Sequence, residues 1–160
     1  MRRFEKISFL QFQKDIDDDK EAYEKYSLPK RMTKESAGYD FVSVCDFTLK
    51  PNESKKIPTG IKAEMNEGEV LLLLVRSSMG FRYNVRMCNQ VGVIDRDYYN
   101  NLENEGHIWI KLQNEGEETY IVKKGDRIAQ GIFVSYLTVD QEEDMNKTRT
   151  SGLGSTNEEG

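Results

Sequence analysis

From Gly38 onward the sequence breaks into short stretches rich in Val, Ile, Phe and Tyr, separated by Gly, Pro and Asn. Brief apolar segments with frequent turn residues are the mark of an all-β chain. The pattern predicts strands over 39–49, 55–59, 61–65, 69–75, 108–112, 119–123 and 127–137, with a first strand over 3–7. Pro51 and Pro58 fall at strand ends, where a missing N–H is tolerated. Residues 70–75 read Val-Leu-Leu-Leu-Leu-Val without alternation, so both faces of that strand need cover, from a sandwich or from a subunit interface. No long amphipathic helix follows each strand, which disfavours a doubly wound parallel sheet. The acidic stretch 15–26 predicts a short helix, with Asp17-Asp18-Asp19 as a solvated loop or the helix start.

At 160 residues and a mean hydropathy of −0.72 the chain suits one domain with a modest core. Its longest aliphatic run is the six residues just quoted, against the roughly 20 needed to cross a bilayer. Arg2 and Arg3 are followed by Glu5 and Lys6 where a signal peptide would place its apolar stretch, so a cytoplasmic location is expected. A net charge of −5 and a pI near 5.1 disfavour binding to nucleic-acid polymers, which rests on a basic surface. A single nucleotide is not excluded by that balance. Cys45 and Cys88 show no CxxC spacing and, with one histidine in the chain, build no zinc site; they read as two reduced thiols. The one histidine, His107, sits in an alternating His-Ile-Trp-Ile-Lys-Leu run and reads as a strand residue, so a hydrolase built on this chain takes a carboxylate as its base.

Neither GxxxxGK[ST] nor a strand-to-helix GxGxxG is present. Donor clusters are scattered instead: Arg76-Ser77-Ser78 after an apolar strand, Gly125-Asp126-Arg127-Ile128-Ala129-Gln130 before another, and Arg149 near a glycine run. Arginine offers a planar fork for phosphate oxygens, and Ser and Gln add neutral donors. Taken singly, each reads as a surface turn. Asp95 and Asp97 lie two apart, which in an extended segment puts both on one side, one as a base and the other as an acceptor; two turn aspartates fit equally well. Residues 140–160 hold almost no apolar side chain apart from Met145 and Leu153, the composition of a tail or linker. Within it, Ser151-Gly152-Leu153-Gly154-Ser155-Thr156 has the glycines and hydroxyls that let backbone N–H groups converge on an anion.

Taken in order, five segments resemble the motifs of the trimeric deoxyuridine triphosphatase (dUTPase) family: Ala37-Gly38-Tyr39-Asp40-Phe41 (AGxDL), Arg76-Ser77-Ser78, Gly92 through Tyr98 (GxIDxDY), Gly125 through Gln130 (GDRIAQ), and Gly154-Ser155-Thr156 closing GGFGST. The resemblance spans about residues 34–156. It implies a jelly-roll-like β-barrel over 1–139, a tail over 140–160 carrying a glycine-rich lid, and a homotrimer whose active sites are shared between subunits. The implied reaction is hydrolysis of dUTP to dUMP and pyrophosphate by Mg²⁺-assisted attack of water on the α-phosphate, which keeps uracil out of DNA and supplies dUMP for thymidylate synthesis. Asp95 is then the base, and Asp40 meets the metal through water. Arg76, Ser77, Ser78, Gln130 and Arg149 hold phosphates, with Gly154 and Ser155 closing over them. Asn89 and Gly92 read the uracil edge, and Tyr98 packs against the deoxyribose. The chain departs from the family in three places. Leu153 replaces the aromatic that covers uracil, Arg149 stands one residue nearer the glycines, and a longer loop runs over 99–106. Two alternatives accompany this reading: a dCTP deaminase-type or bifunctional relative, and a dUTPase that also binds a regulatory protein such as a repressor.

Overall fold

The computed structural model describes residues 1–141. A first strand, β1 (Arg3–Lys6), leads into two short helices, α1 (Phe9–Asp15) and α2 (Lys20–Lys25). Each helix has a side-chain cap: Ser8 accepts from the Gln11 N–H, and Asp19 from the Ala22 N–H. Asp19 is therefore the helix start that the acidic run suggested, while α1 was not expected and the helix predicted over 15–26 covers only its second half. Then follow β2 (Tyr39–Val42), β3 (Phe47–Leu49), β4 (Ser54–Pro58), β5 (Ile61–Glu64) and β6 (Glu69–Leu74). After them come α3 (Ser77–Tyr83), β7 (Val85–Met87), β8 (Gly92–Ile94), a 3-10 turn over Arg96–Tyr98, β9 (Trp109–Asn114), β10 (Tyr120–Val122) and β11 (Arg127–Ser135).

The all-β expectation holds, and every strand pairing among the described residues is antiparallel. The expected barrel is not one continuous ladder. The strands form four sheets, ordered β2-β11-β6-β8, β4-β9-β7, β1-β5 and β10-β3, wrapped round a single core. The strand predicted over 39–49 is two strands in different sheets. The break is a turn in which buried Ser43 donates its hydroxyl to the Cys45 carbonyl at 2.6 Å and its N–H to the Asp126 carbonyl at 2.7 Å.

The unbroken apolar run becomes β6, paired on one edge to β11 and on the other to β8. Leu71 and Leu73 are fully buried in the core, while Leu72 and Leu74 on the opposite face are half-buried. Gly131 of β11 allows this packing, since a Cβ there would lie 2.9 Å from the Phe41 ring and 3.0 Å from Leu71. At the other end of the core, Phe12 stacks on Tyr26 with centroids 5.6 Å apart, which seats the helical pair against the strands.

His107 departs from expectation. It precedes β9 and is wholly buried. The Gly60 N–H donates to its Nε2 at 2.9 Å, so its proton lies on Nδ1, 2.6 Å from an Asp15 carboxylate oxygen. No helix among the described residues is long and apolar enough to cross a membrane. Of the expected tail, all but Asp140 and Gln141 lies outside the described residues, and with it Arg149, Leu153, Gly154 and Ser155.

Candidate active site

Strand register assembles the first part of the site. Asp40 on β2 stands opposite Gln130 on β11, and Gln130 opposite Leu74 at the end of β6, so three neighbouring strands share one rung beside Arg76. One Asp40 oxygen meets Arg76 Nε at 3.2 Å, and the other accepts from Arg127 Nη1 at 3.3 Å. Gln130 donates its amide to the Val75 carbonyl at 3.1 Å. Its side chain lies over Gly38, where a Cβ would come 2.4 Å from Gln130 Oε1, so a larger residue there would displace the Gln130 amide. With Ser77 and Ser78 these residues line an open cleft of about 560 Å³. Its charged lining is two arginines against one aspartate, a local excess of positive charge in a chain of net −5. Such a cleft with neutral donors on its walls suits a polyphosphate. Arg127 completes it; it lies within the Gly125–Gln130 motif but was not among the expected site residues, although an arginine two residues past the glycine of a turn is the available signal.

A second, more apolar cavity of about 260 Å³ opens between β6, β8 and β9, lined by Asn89, Gly92, Ile94 and Trp109 among others. The turn joining β7 to β8 carries Gln90 at φ 63° and closes through the Gln90 N–H to the Met87 carbonyl at 3.0 Å. Gly92 is buried, and a Cβ there would lie 3.1 Å from Leu73 Cβ. Exposed Asn89 and backbone groups at this mouth suit the edge and face of a planar base.

Asp95 follows β8 with extended backbone (φ −77°, ψ 156°) and caps the 3-10 turn, its carbonyl accepting from the Tyr98 N–H at 3.1 Å. The segment is thus not extended through Asp97, and the expected placement of Asp95 and Asp97 on one side of a strand fails because the chain coils directly after Asp95. Tyr98 is half-buried, its hydroxyl donating to the His107 carbonyl at 2.8 Å.

Within one protomer these parts do not meet. β8 runs antiparallel to β6 with Gly92 opposite Leu73 and Ile94 opposite Leu71, so the chain leads away from the Arg76 end as it approaches Asp95. Arg76 is five residues beyond Leu71, or roughly 17 Å along the strand. Asp40, Arg76, Ser77, Ser78 and Gln130 are brought together; Asn89 and Gly92 share a separate cavity; Asp95 and Tyr98 stand apart from the arginine cleft.

Among the described residues no group of three or more His, Cys, Asp or Glu side chains is placed to hold a metal ion. A hard divalent cation here needs oxygens from a bound ligand and from water, with Asp40 as the acidic group of the cleft. Nor does a cysteine offer a nucleophile by virtue of a low pKa at Cys45, since burial pushes its thiol up.

A dUTPase family profile matches residues 24–157. The chain is 45% identical over 131 residues to a deoxyuridine 5'-triphosphate nucleotidohydrolase of Lactococcus lactis, an alignment covering 81% of this chain and 87% of that protein. It is 33% identical over 133 residues to the enzyme of the same name from Nautilia profundicola, covering 81% and 89%. Among solved structures, the dUTPase of Streptococcus mutans superposes with a TM-score of 0.70 at 39% identity, covering 86% of this chain and 98% of that one. A dUTPase of the Staphylococcus aureus phage phi11 shares the fold at 22% identity and a TM-score of 0.67, covering 91% and 98%.

Proposed function

Because the chain belongs to the dUTPase family and so hydrolyses dUTP to dUMP and pyrophosphate, we propose that its arginine cleft holds the triphosphate, its β7–β8 cavity holds uracil, and Asp95 activates the water. The observation that carries this assignment is the rung joining Asp40, Gln130 and the Arg76 end of β6. It concentrates the positive charge and neutral donors of an acidic protein in one open cleft.

In this reading Arg76, Ser77, Ser78 and Gln130 fix the phosphate oxygens, and Arg149, Gly154 and Ser155 of the tail complete the grip, with Leu153 set over the base. Asp95 accepts the proton as water oxygen bonds to the α-phosphorus. The bond from that phosphorus to the bridging oxygen breaks, and the electron pair leaves with pyrophosphate. Asn89 and the backbone around Gly92 hydrogen-bond the uracil edge, which a cytosine edge does not match. Tyr98 closes the space a 2'-hydroxyl would need. Mg²⁺ would be carried by the phosphates and reach Asp40 through water; when bound, it offsets the triphosphate charge and shapes it for in-line attack.

The separation of Asp95 from the arginine cleft supports a homotrimer in which the base from one protomer serves the phosphates held by another. The half-buried Leu72 and Leu74 leave apolar surface on β6 for such contacts. We further infer a barrel domain over 1–139 with a tail over 140–160, and a cytoplasmic location, where the nucleotide substrate is made and two free cysteines stay reduced. The test is pyrophosphate release from dUTP, dCTP, dTTP and UTP, with and without Mg²⁺, by the wild type and Asp95→Asn. Turnover of dUTP should fall about 10²–10⁴-fold in the variant while binding of a non-hydrolysable dUTP analogue persists. Near-normal turnover in a folded variant removes Asp95 as the base.

A further inference from the structure

Tyr98 is held from behind by a loop that is itself tied to a part of the chain ahead of the family match. The Tyr98 carbonyl accepts from Asn101 Nδ2 at 2.8 Å, and its hydroxyl, besides donating to the His107 carbonyl, accepts from Asn104 Nδ2 at 2.9 Å. Gly106, at φ 80°, passes so close that a Cβ there would lie 2.6 Å from the Tyr98 carbonyl oxygen. The loop over 99–106 thus wraps Tyr98 on its outer side. That loop is in turn tied to the start of the chain. The Ser8 N–H donates to Glu105 Oε2 at 2.9 Å and the Ser8 hydroxyl to the other oxygen of that carboxylate. The Tyr99 hydroxyl donates to Glu5 at 2.6 Å, and Asp15 meets His107 at 2.6 Å. All three ties start between residues 5 and 15, whereas the family match starts at 24.

A hydroxyl fixed by two hydrogen bonds stops its ring from swinging, and a steric wall rejects a larger substrate only as far as it resists displacement. We infer that residues 5–15 brace the 99–107 loop and thereby set the position of the Tyr98 ring, making Ser8, Asp15, Asn104 and Glu105 positioning residues for the choice of deoxyribose over ribose. This rests on the assignment of Tyr98 to the sugar.

The experiment measures kcat/KM for dUTP and UTP in full-length Glu105→Ala, Ser8→Ala and Asp15→Asn, alone and combined with Tyr98→Ala, together with hydrogen exchange over 95–107. Glu105 is about one-third exposed, so its truncation spares the core, whereas Ser8→Ala removes both the hydroxyl bond to Glu105 and the α1 cap to the Gln11 N–H. The dUTP-to-UTP ratio should fall about three- to tenfold in Glu105→Ala, through a gain on UTP, with exchange over 95–107 quickened. The kcat for dUTP should stay within about twofold, since the ties do not reach Asp95, and no further fall should appear in the Tyr98→Ala background. A ratio that stays at the wild-type value in Glu105→Ala and Asp15→Asn, while Tyr98→Ala lowers it, overturns the brace. A ratio that Tyr98→Ala itself leaves unchanged overturns the sugar assignment, and the inference falls with it.

Discussion

Lowering the pH from 7 to 5 should destabilise this protein by an amount set chiefly by one ring. His107 is the sole histidine in the chain and is wholly buried, and its Nε2 lone pair already accepts from Gly60. A second proton would displace that hydrogen bond and charge a ring in the core. Burial accordingly pushes the His107 pKa below its ordinary value, and the Asp15 carboxylate opposes the shift without reversing it. In the unfolded chain the ring takes up a proton near pH 6.5, while in the folded chain it stays neutral to lower pH. Between those two values the unfolded state binds more protons, so stability rises with pH. The contribution is fully present above about pH 6.5 and is lost as pH falls below it, at about 1.4 kcal/mol per unit for as long as the folded ring stays neutral. The loss ends where the folded ring takes up its own proton. Carboxylates held low in the folded state do not obscure this window. Glu69, whose side-chain hydrogen bonds from Arg2 bring it to about 2, together with Asp46 and Glu53, held low first by backbone N–H groups of Lys124 and Lys50, begins to lose its share only as pH falls into the ordinary carboxylate range. Urea unfolding at fixed protomer concentration, at half-unit steps from pH 5 to 8, reads the slope. A flat profile between 7 and 5, or stability that climbs as pH falls, refutes the neutral-histidine argument.

Other perturbations follow from the same geometry. Asp40→Asn removes the anion that competes for Arg76 and Arg127, so in EDTA inorganic tripolyphosphate should bind about fivefold more tightly by calorimetry, while Mg²⁺-supported turnover falls. Tighter binding in EDTA should be absent if Asp40 does not compete for the phosphate site. Phe12→Ala empties a buried site stacked on Tyr26 and should cost about 3–5 kcal/mol in urea unfolding; a loss below 1 kcal/mol would show that the helical pair is not seated on the core.

Where local chemistry decides conformation, the sequence was readable. Asn52, Gly60, Gly68 and Gly125 take positive φ at turns between strands, and the breaks they mark were found. The turn at 43–46 was missed because it has neither Gly nor Pro and depends on Ser43 reaching Asp126 across the fold. In α3, Ser77, Ser78 and Gly80 are poor helix formers, and α1 is seven residues long, capped by a serine that also grips a carboxylate 97 residues away. The same division runs through the site. Motif residues Asp40, Arg76 and Gln130 were legible as a set, but their meeting in one rung, the distance of Asp95 from it, and the pairing of His107 with Asp15 are matters of register and packing that no local pattern carries.

The antiparallel course of β8 along β6 ties catalysis to mass action. If base and phosphate cleft are completed only across subunits, the free protomer is inert and the rate per litre follows the concentration of assembled trimer. Below the assembly midpoint that concentration varies as the cube of free protomer. A cell would then gain dUTP hydrolysis abruptly as the protein accumulates, and a modest fall in its abundance would cut activity far more than proportionally.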